Sequence, residues 1–230
     1  MARSLTLWLC SIFILAPASA SAAGEVQLNK GETLSIGSVT RDPGYPLDSM
    51  SRQVPVKGRL RCPKIKKVRY KGDTLRYHAA VFVNLPFRER LKKFELVVVQ
   101  TAKDVYGRAP RTIRHVGTYN CRRIGGYPNL VSEHGIANGI DVAGFDFAPL
   151  KRGSTSELPR SLRRRFRVRL LKHWGATKGV AYTYHRRFLR LLAARLVRRH
   201  DIFRVLLGPA YPGHKDHFHF DVSPWRLVDI

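Results

Sequence analysis

Two segments constrain this chain more than anything else in it. One is Ser132-Glu133-His134-Gly135-Ile136-Ala137-Asn138-Gly139-Ile140-Asp141, and the other, near the C-terminus, is His214-Lys215-Asp216-His217-Phe218-His219. Together they supply a His, a carboxylate and a second His, the donor set of a zinc site that keeps its fourth tetrahedral position open. On a helix His134 and Asp141 would stand two turns apart, about 10 Å along the axis, too far for both to reach one ion at about 2 Å. The chain must therefore fold back between them, and Gly135 and Gly139 are expected to permit that turn. In the second segment His217, His219 and Asp221 alternate with Phe218 and Phe220, the period of a half-buried strand. Read so, the imidazoles face one pocket and the phenyl rings face the core. A metal-scavenging histidine tract would account for either segment alone; the complementary residues of the two favour a built site.

The first 22 residues read as a secretory signal peptide: Arg3, an apolar run from Leu5 to Leu15, then small-residue cleavage sites around Ala18-Ser19-Ala20-Ser21-Ala22. The run is too short to span a bilayer, and no later segment is long and apolar enough to do so. Cys10 follows Trp8 and Leu9, which are too bulky for a lipidation site. The mature protein is expected to be exported, to a periplasm or the extracellular space, and to be a monomer. Cleavage leaves Cys62 and Cys121, and an even count in an exported chain favours one disulfide over two buried thiols.

Lys and Arg total 42 against 16 acidic residues, a formal charge of +26. Such a field favours acidic partners. Nucleic acid would be the usual choice, but export excludes it as a physiological ligand. Peptidoglycan or another anionic envelope polymer is the partner that charge and export together imply.

Apolar periodicity places the elements. Residues 23–52 carry Gly, Pro and Ser without a period and read as an irregular leader to a single domain over 53–230. Leu91, Phe94, Val98, Ala102 and Val105 recur at helical spacing between Pro86 and Gly107. Strands are expected over 111–119, 140–145, 165–171, 204–207 and 217–222, that over 165–171 with a basic face of Arg167 and Arg169. A second helix covers 182–200, and 148–165 reads as an inserted loop. The fold class is α+β: one domain, a mixed or antiparallel sheet, two main helices and a zinc site at the sheet.

Ser132-Glu133-His134, Ala137-Asn138 and Ile140-Asp141, preceded by Tyr119-Asn120-Cys121-Arg122 and followed by Leu207-Gly208-Pro209 and His214 to Asp221, resemble the bacterial extensin-like C-terminal domain family. The resemblance covers about residues 53–224. That family is in turn similar to zinc peptidases acting on peptidoglycan, the D-alanyl-D-alanine carboxypeptidases and dipeptidases and the murein endopeptidases. Their pattern is Ser-x-His-x-x-Gly-x-Ala-x-Asp with a downstream His; here Ala137 stands at the Gly position and Gly139 at the Ala position. The resemblance implies His134, Asp141 and His219 as zinc ligands. It offers two general bases, Asp216 where the dipeptidases carry Glu and His217 where the endopeptidases carry His. Strand alternation favours His217, although a strand beginning only at His217 would let Asp216 swing inward. Arg122 matches an arginine that polarises the scissile carbonyl from the end of a strand. His214 assists or binds substrate, and Ser132 supports the turn or orients a ligand. The expected function is an exported zinc hydrolase of peptidoglycan peptides; the alternative is a non-catalytic wall-binding protein whose metal site is structural or degenerate.

Overall fold

The computed structural model describes residues 44–230, together with two short strands before them, β1 (Glu25–Gln27) and β2 (Thr33–Ser35), which pair antiparallel. The expected signal peptide, residues 1–22, lies outside the described residues, as does most of the expected leader. Its last part does not behave as a leader, because Tyr45, Leu47 and Arg52 are buried in the domain.

The first long helix, α1 (Leu85–Tyr106), begins where the Asn84 side chain accepts the Phe87 N–H at 2.8 Å, with Pro86 in the first turn. It stops at Gly107, whose φ of 66° closes the last turn onto the Lys103 carbonyl. Phe87, Leu91, Phe94, Val98, Ala102 and Val105 form its buried stripe. It follows β3 (Lys67–Tyr70), β4 (Arg76–Tyr77) and β5 (Val81–Asn84), of which β3 and β5 form a hairpin. The chain then makes β6 (Thr112–Gly117), the small ribbon β7 (Arg123–Ile124) and β8 (Tyr127–Val131), and a 3-10 turn over Glu133–Ile136. The long strand β9 (Gly139–Phe147) follows. After it come α2 (Arg160–Arg163), β10 (Phe166–Arg169), α3 (Leu170–His173), α4 (Val180–Val197), β11 (Val205–Leu207), β12 (Phe218–Asp221) and β13 (Leu227–Asp229).

The main sheet runs β13-β11-β12-β9-β6-β4, with β10 pairing the C-terminal half of β9. It is mixed: β11/β13 and β4/β6 are parallel, the other pairs antiparallel. Both long helices cover one face. Phe94 of α1 packs on Phe220 of β12, and Phe188 of α4 packs edge-on against Phe145 of β9. The protein is a single α+β domain, and among the described residues no helix is long and apolar enough to cross a membrane.

Three expectations need correction. The stretch expected to be a strand over 165–171 ends at Arg169, because Leu170 and His173 turn inward on the short α3. The expected loop over 148–165 contains α2, which carries the buried Leu162. Arg122 lies in the loop between β6 and β7, one residue before β7 begins, and not at the end of β6.

Candidate metal centre

His219 and Asp141 are directly opposite across the β12/β9 pair, on the sheet face turned away from the helices. Phe218 and Phe220 take the other face and are fully buried, as the alternation requires. His134 arrives from the 3-10 turn. The fold-back between His134 and Asp141 is real, but glycine freedom does not make it. The left-handed residue is Ala137, with φ 56°, the position where the peptidase pattern carries Gly. Gly135 serves close packing instead: a Cβ there would stand 2.8 Å from Val131 and 2.9 Å from the Cys62 sulfur. Gly139 lies flat against His219 and Asp221.

Three donor atoms converge. His134 Nε2 is 3.0 Å from His219 Nδ1, and Asp141 Oδ1 is 3.2 Å from the first and 2.9 Å from the second. The edges of a tetrahedron of donors at about 2.05 Å would be about 3.3 Å, so the triangle fits one zinc-sized ion. The remaining ring nitrogens are already committed. His134 Nδ1 donates to the Thr118 carbonyl, and His219 Nε2 to Asp221 Oδ2 at 2.7 Å. Asp221 is itself held by the Ser223 N–H and Oγ at 2.9 and 2.8 Å. Both imidazoles thus aim a lone pair at the same carboxylate oxygen, an arrangement that needs a cation or a proton at its centre. Burial opposes charge on His219, but hydrogen bonds to Asp141 and Asp221 outweigh it and raise its pKa to about 9. For Asp141 burial acts upward, and bonds to His134 and His219 win and hold it far below the usual carboxylate range.

His217 flanks the triangle, its Nε2 3.8 Å from Asp141 Oδ1 and its Nδ1 bonded to Asp216 Oδ1 at 2.8 Å. The two residues offered as alternative bases therefore form one dyad, with Asp216 the outer, exposed member. The His214 ring packs against His217 at 4.8 Å, tilted by 44°, and stands edge-on to His219, its basicity lowered chiefly by burial. Ser132 caps the 3-10 turn, its hydroxyl accepting the His134 N–H at 3.3 Å. Arg122 meets the turn only through its backbone, its carbonyl accepting the Ser132 N–H; the side chain is exposed and makes no hydrogen bond to the triangle.

Beneath the turn lies a buried polar network that residue patterns did not reveal. Arg52 pairs with Glu133 at 2.9 Å, both almost wholly buried, and also donates to the Leu47 and Met50 carbonyls. Asn138 donates to Glu133 and to the Val222 carbonyl, and accepts from Tyr45 and Asn84. Asp221 already shares the alternating face of His219 in the sequence, though its spacing alone assigns it no role; Arg52 and Tyr45 carry no local signal. The expected disulfide is present: Cys62 is bonded to Cys121 and lies against Gly135.

The family described as extensin-like protein C-terminus matches residues 45–228. The chain belongs to that family. The match begins at Tyr45, whose burial already placed the domain's edge there. No curated protein and no solved structure matches this extensin-like chain.

Proposed function

We propose that this protein is an exported zinc-dependent hydrolase that cuts peptide bonds in peptidoglycan, as the likeness of its motifs to zinc peptidases of the cell wall suggests. One observation supports the metal most: two lone pairs and a carboxylate oxygen converge within 2.9–3.2 Å, each imidazole locked by a second acceptor. His134 Nε2, His219 Nδ1 and Asp141 Oδ1 would hold the ion. Zinc there would supply Lewis acidity, activating water and polarising a carbonyl. The chain's own contribution is proton transfer. Asp216 accepts Nδ1–H of His217, which turns the basic Nε2 toward the site, where it can take a proton from the attacking water and return it to the leaving amine. His214 packs behind His217 and limits its rotation. Arg122 would have to swing inward to reach a carbonyl.

Purified mature protein should hold about one zinc per chain, and His134→Ala or Asp141→Ala should abolish binding. His217→Ala should keep the metal and slow fragment release from sacculi by about 100-fold or more, and Asp216→Asn should do so less severely. Full metal content in both ligand variants would refute the ligand assignment. Zinc-loaded wild type that releases no fragments but pellets with sacculi would establish the alternative, a wall-binding protein, which the exposed arginines also suit.

A further inference from the structure

On the hydrolase reading above, we propose that two arginine rows beside the metal centre form a subsite for the carboxylates of the same peptide that is cut there. The strand β9 connects the two places. Near its N-terminal end Asp141 faces His219; toward its C-terminal end Asp146 lies opposite Thr112 of β6 and Arg167 of β10, and Thr112 lies opposite Arg76 of β4. Two residues away, Gly144 lies between Arg114 and Arg169. The side these residues face follows from their neighbours. Tyr77, Ile113, Phe145 and Val168 are buried in the core, so Arg76, Arg114, Asp146, Arg167 and Arg169 face away from it. This is the face that carries Asp141 and His219, because the β6/β9 register shifts between Arg114↔Gly144 and His115↔Val142 and the extra residue on β9 moves the alternation by one.

The rows hold four arginines and one carboxylate, and two of the four bond to it. Asp146 accepts Arg114 Nε through one oxygen at 2.7 Å and Arg169 Nη2 through the other at 2.8 Å. Burial raises the Asp146 carboxyl, but these two arginines outweigh it and keep it ionised. The acid fixes both arginines without neutralising the rows. Arg114 is held through Nε alone, and its terminal nitrogens bond to no described residue; Arg76 and Arg167 are exposed. An anchored fork loses less rotamer entropy on meeting a carboxylate.

The separation suits a peptide. Asp141 and Asp146 are about 15 Å apart along the strand, a span an extended chain covers in about five residues. A peptide laid along β9 would place one bond at the metal centre and an acidic group over the arginines. Guanidinium forks also accept phosphate, but continuity with a peptide-cutting site assigns the rows to peptide carboxylates.

The test is pelleting of the mature chain with sacculi stripped of phosphate polymers. Arg76→Glu/Arg167→Glu should weaken binding about tenfold or more, with the melting temperature little changed. The same number of charges reversed on the opposite, helical side, Arg187→Glu/Arg198→Glu, should weaken it about twofold or less. Amidating the sacculus carboxylates should reproduce the larger loss with wild-type protein. Should the row variant misfold, Arg76→Gln/Arg167→Gln replaces it. Equal losses from both reversals, or undiminished binding to amidated sacculi, would overturn the proposal. So would binding that disappears once phosphate polymers are stripped, which would make a phosphate polymer the occupant. Pelleting separates this proposal from the hydrolase reading. A row variant that still pellets and releases fragments normally sinks only the subsite; a zinc-loaded wild type that pellets through the rows but cuts nothing sinks only the chemistry.

Discussion

A single hydrogen atom's worth of space decides how Asp141 is presented. Gly117 lies directly opposite it on β6, and a Cβ there would stand 2.6 Å from Asp141 Oδ2. Gly117→Ala should therefore rotate the carboxylate and, on the proposed zinc reading, lower zinc affinity by about 10- to 100-fold, the scale seen when a ligand's supporting contact is lost. Competition with a chromophoric chelator measures this directly, and affinity within twofold of wild type would show that Asp141 tolerates the shift. Ala137 illustrates the opposite economy. It takes the left-handed conformation at some steric cost, and backbone and side-chain bonds of Asn84 and Asn138 hold the turn in place.

At the level of elements, the 3-10 turn carries His134 but has one turn of its own, too short to be stable alone. Two cross-links hold it. The Cys62–Cys121 bridge closes a separation of 59 residues, for which chain entropy predicts about 4 kcal/mol. Reduction, or Cys62→Ser/Cys121→Ser, should lower unfolding free energy on that order in denaturant titrations; a loss under 1 kcal/mol would place the stabilisation elsewhere. The other is the Arg52–Glu133 pair. Arg52→Met leaves a buried carboxylate without its counter-charge and should cost about 3–5 kcal/mol. Arg52→Met/Glu133→Gln should recover part of it, not all, because the Leu47 and Met50 carbonyls also lose their donor. A double variant no more stable than Arg52→Met would refute the pairing as the main term.

The whole molecule should be most stable near neutral pH, for reasons at its two ends. His173 and His185 are buried where α3 and α4 meet, and burial lowers both to about 4. Their neutral nitrogens receive the Arg169 N–H and the Tyr106 hydroxyl. The unfolded chain binds protons at these positions from about pH 6.5 downward while the folded one does not, so stability falls between 6.5 and 4. His219 acts oppositely in metal-free protein: its contribution is full below about 6.5 and is lost as pH rises through about 9. Urea midpoints of chelator-treated protein should thus decline on both sides. Replacing His185 with Gln should flatten the acid limb, and an unaltered limb would remove this histidine from the account.

What the chain's order alone determined was local and periodic. The stripe from Phe87 to Val105, bounded by Asn84 and Gly107, fixes α1 whatever surrounds it, since capping and amphipathic spacing act within a few residues. The alternation from His217 to Asp221 likewise places the imidazoles and phenyl rings on opposite faces, and the paired motifs named the three donors. Tertiary structure decided the remainder. Only pairing of β12 with β9 sets His219 against Asp141, and only the folded chain brings Cys121 onto Cys62 beside the turn. That Asp216 bonds to His217 depends on where β12 begins, which alternation leaves open by one residue. Arg52 reaches Glu133 across 81 residues, and Arg76, Arg114 and Arg167 come onto one sheet face only when four strands align. Such contacts have no sequence period, because they arise from how layers pack and not from how a single strand or helix repeats.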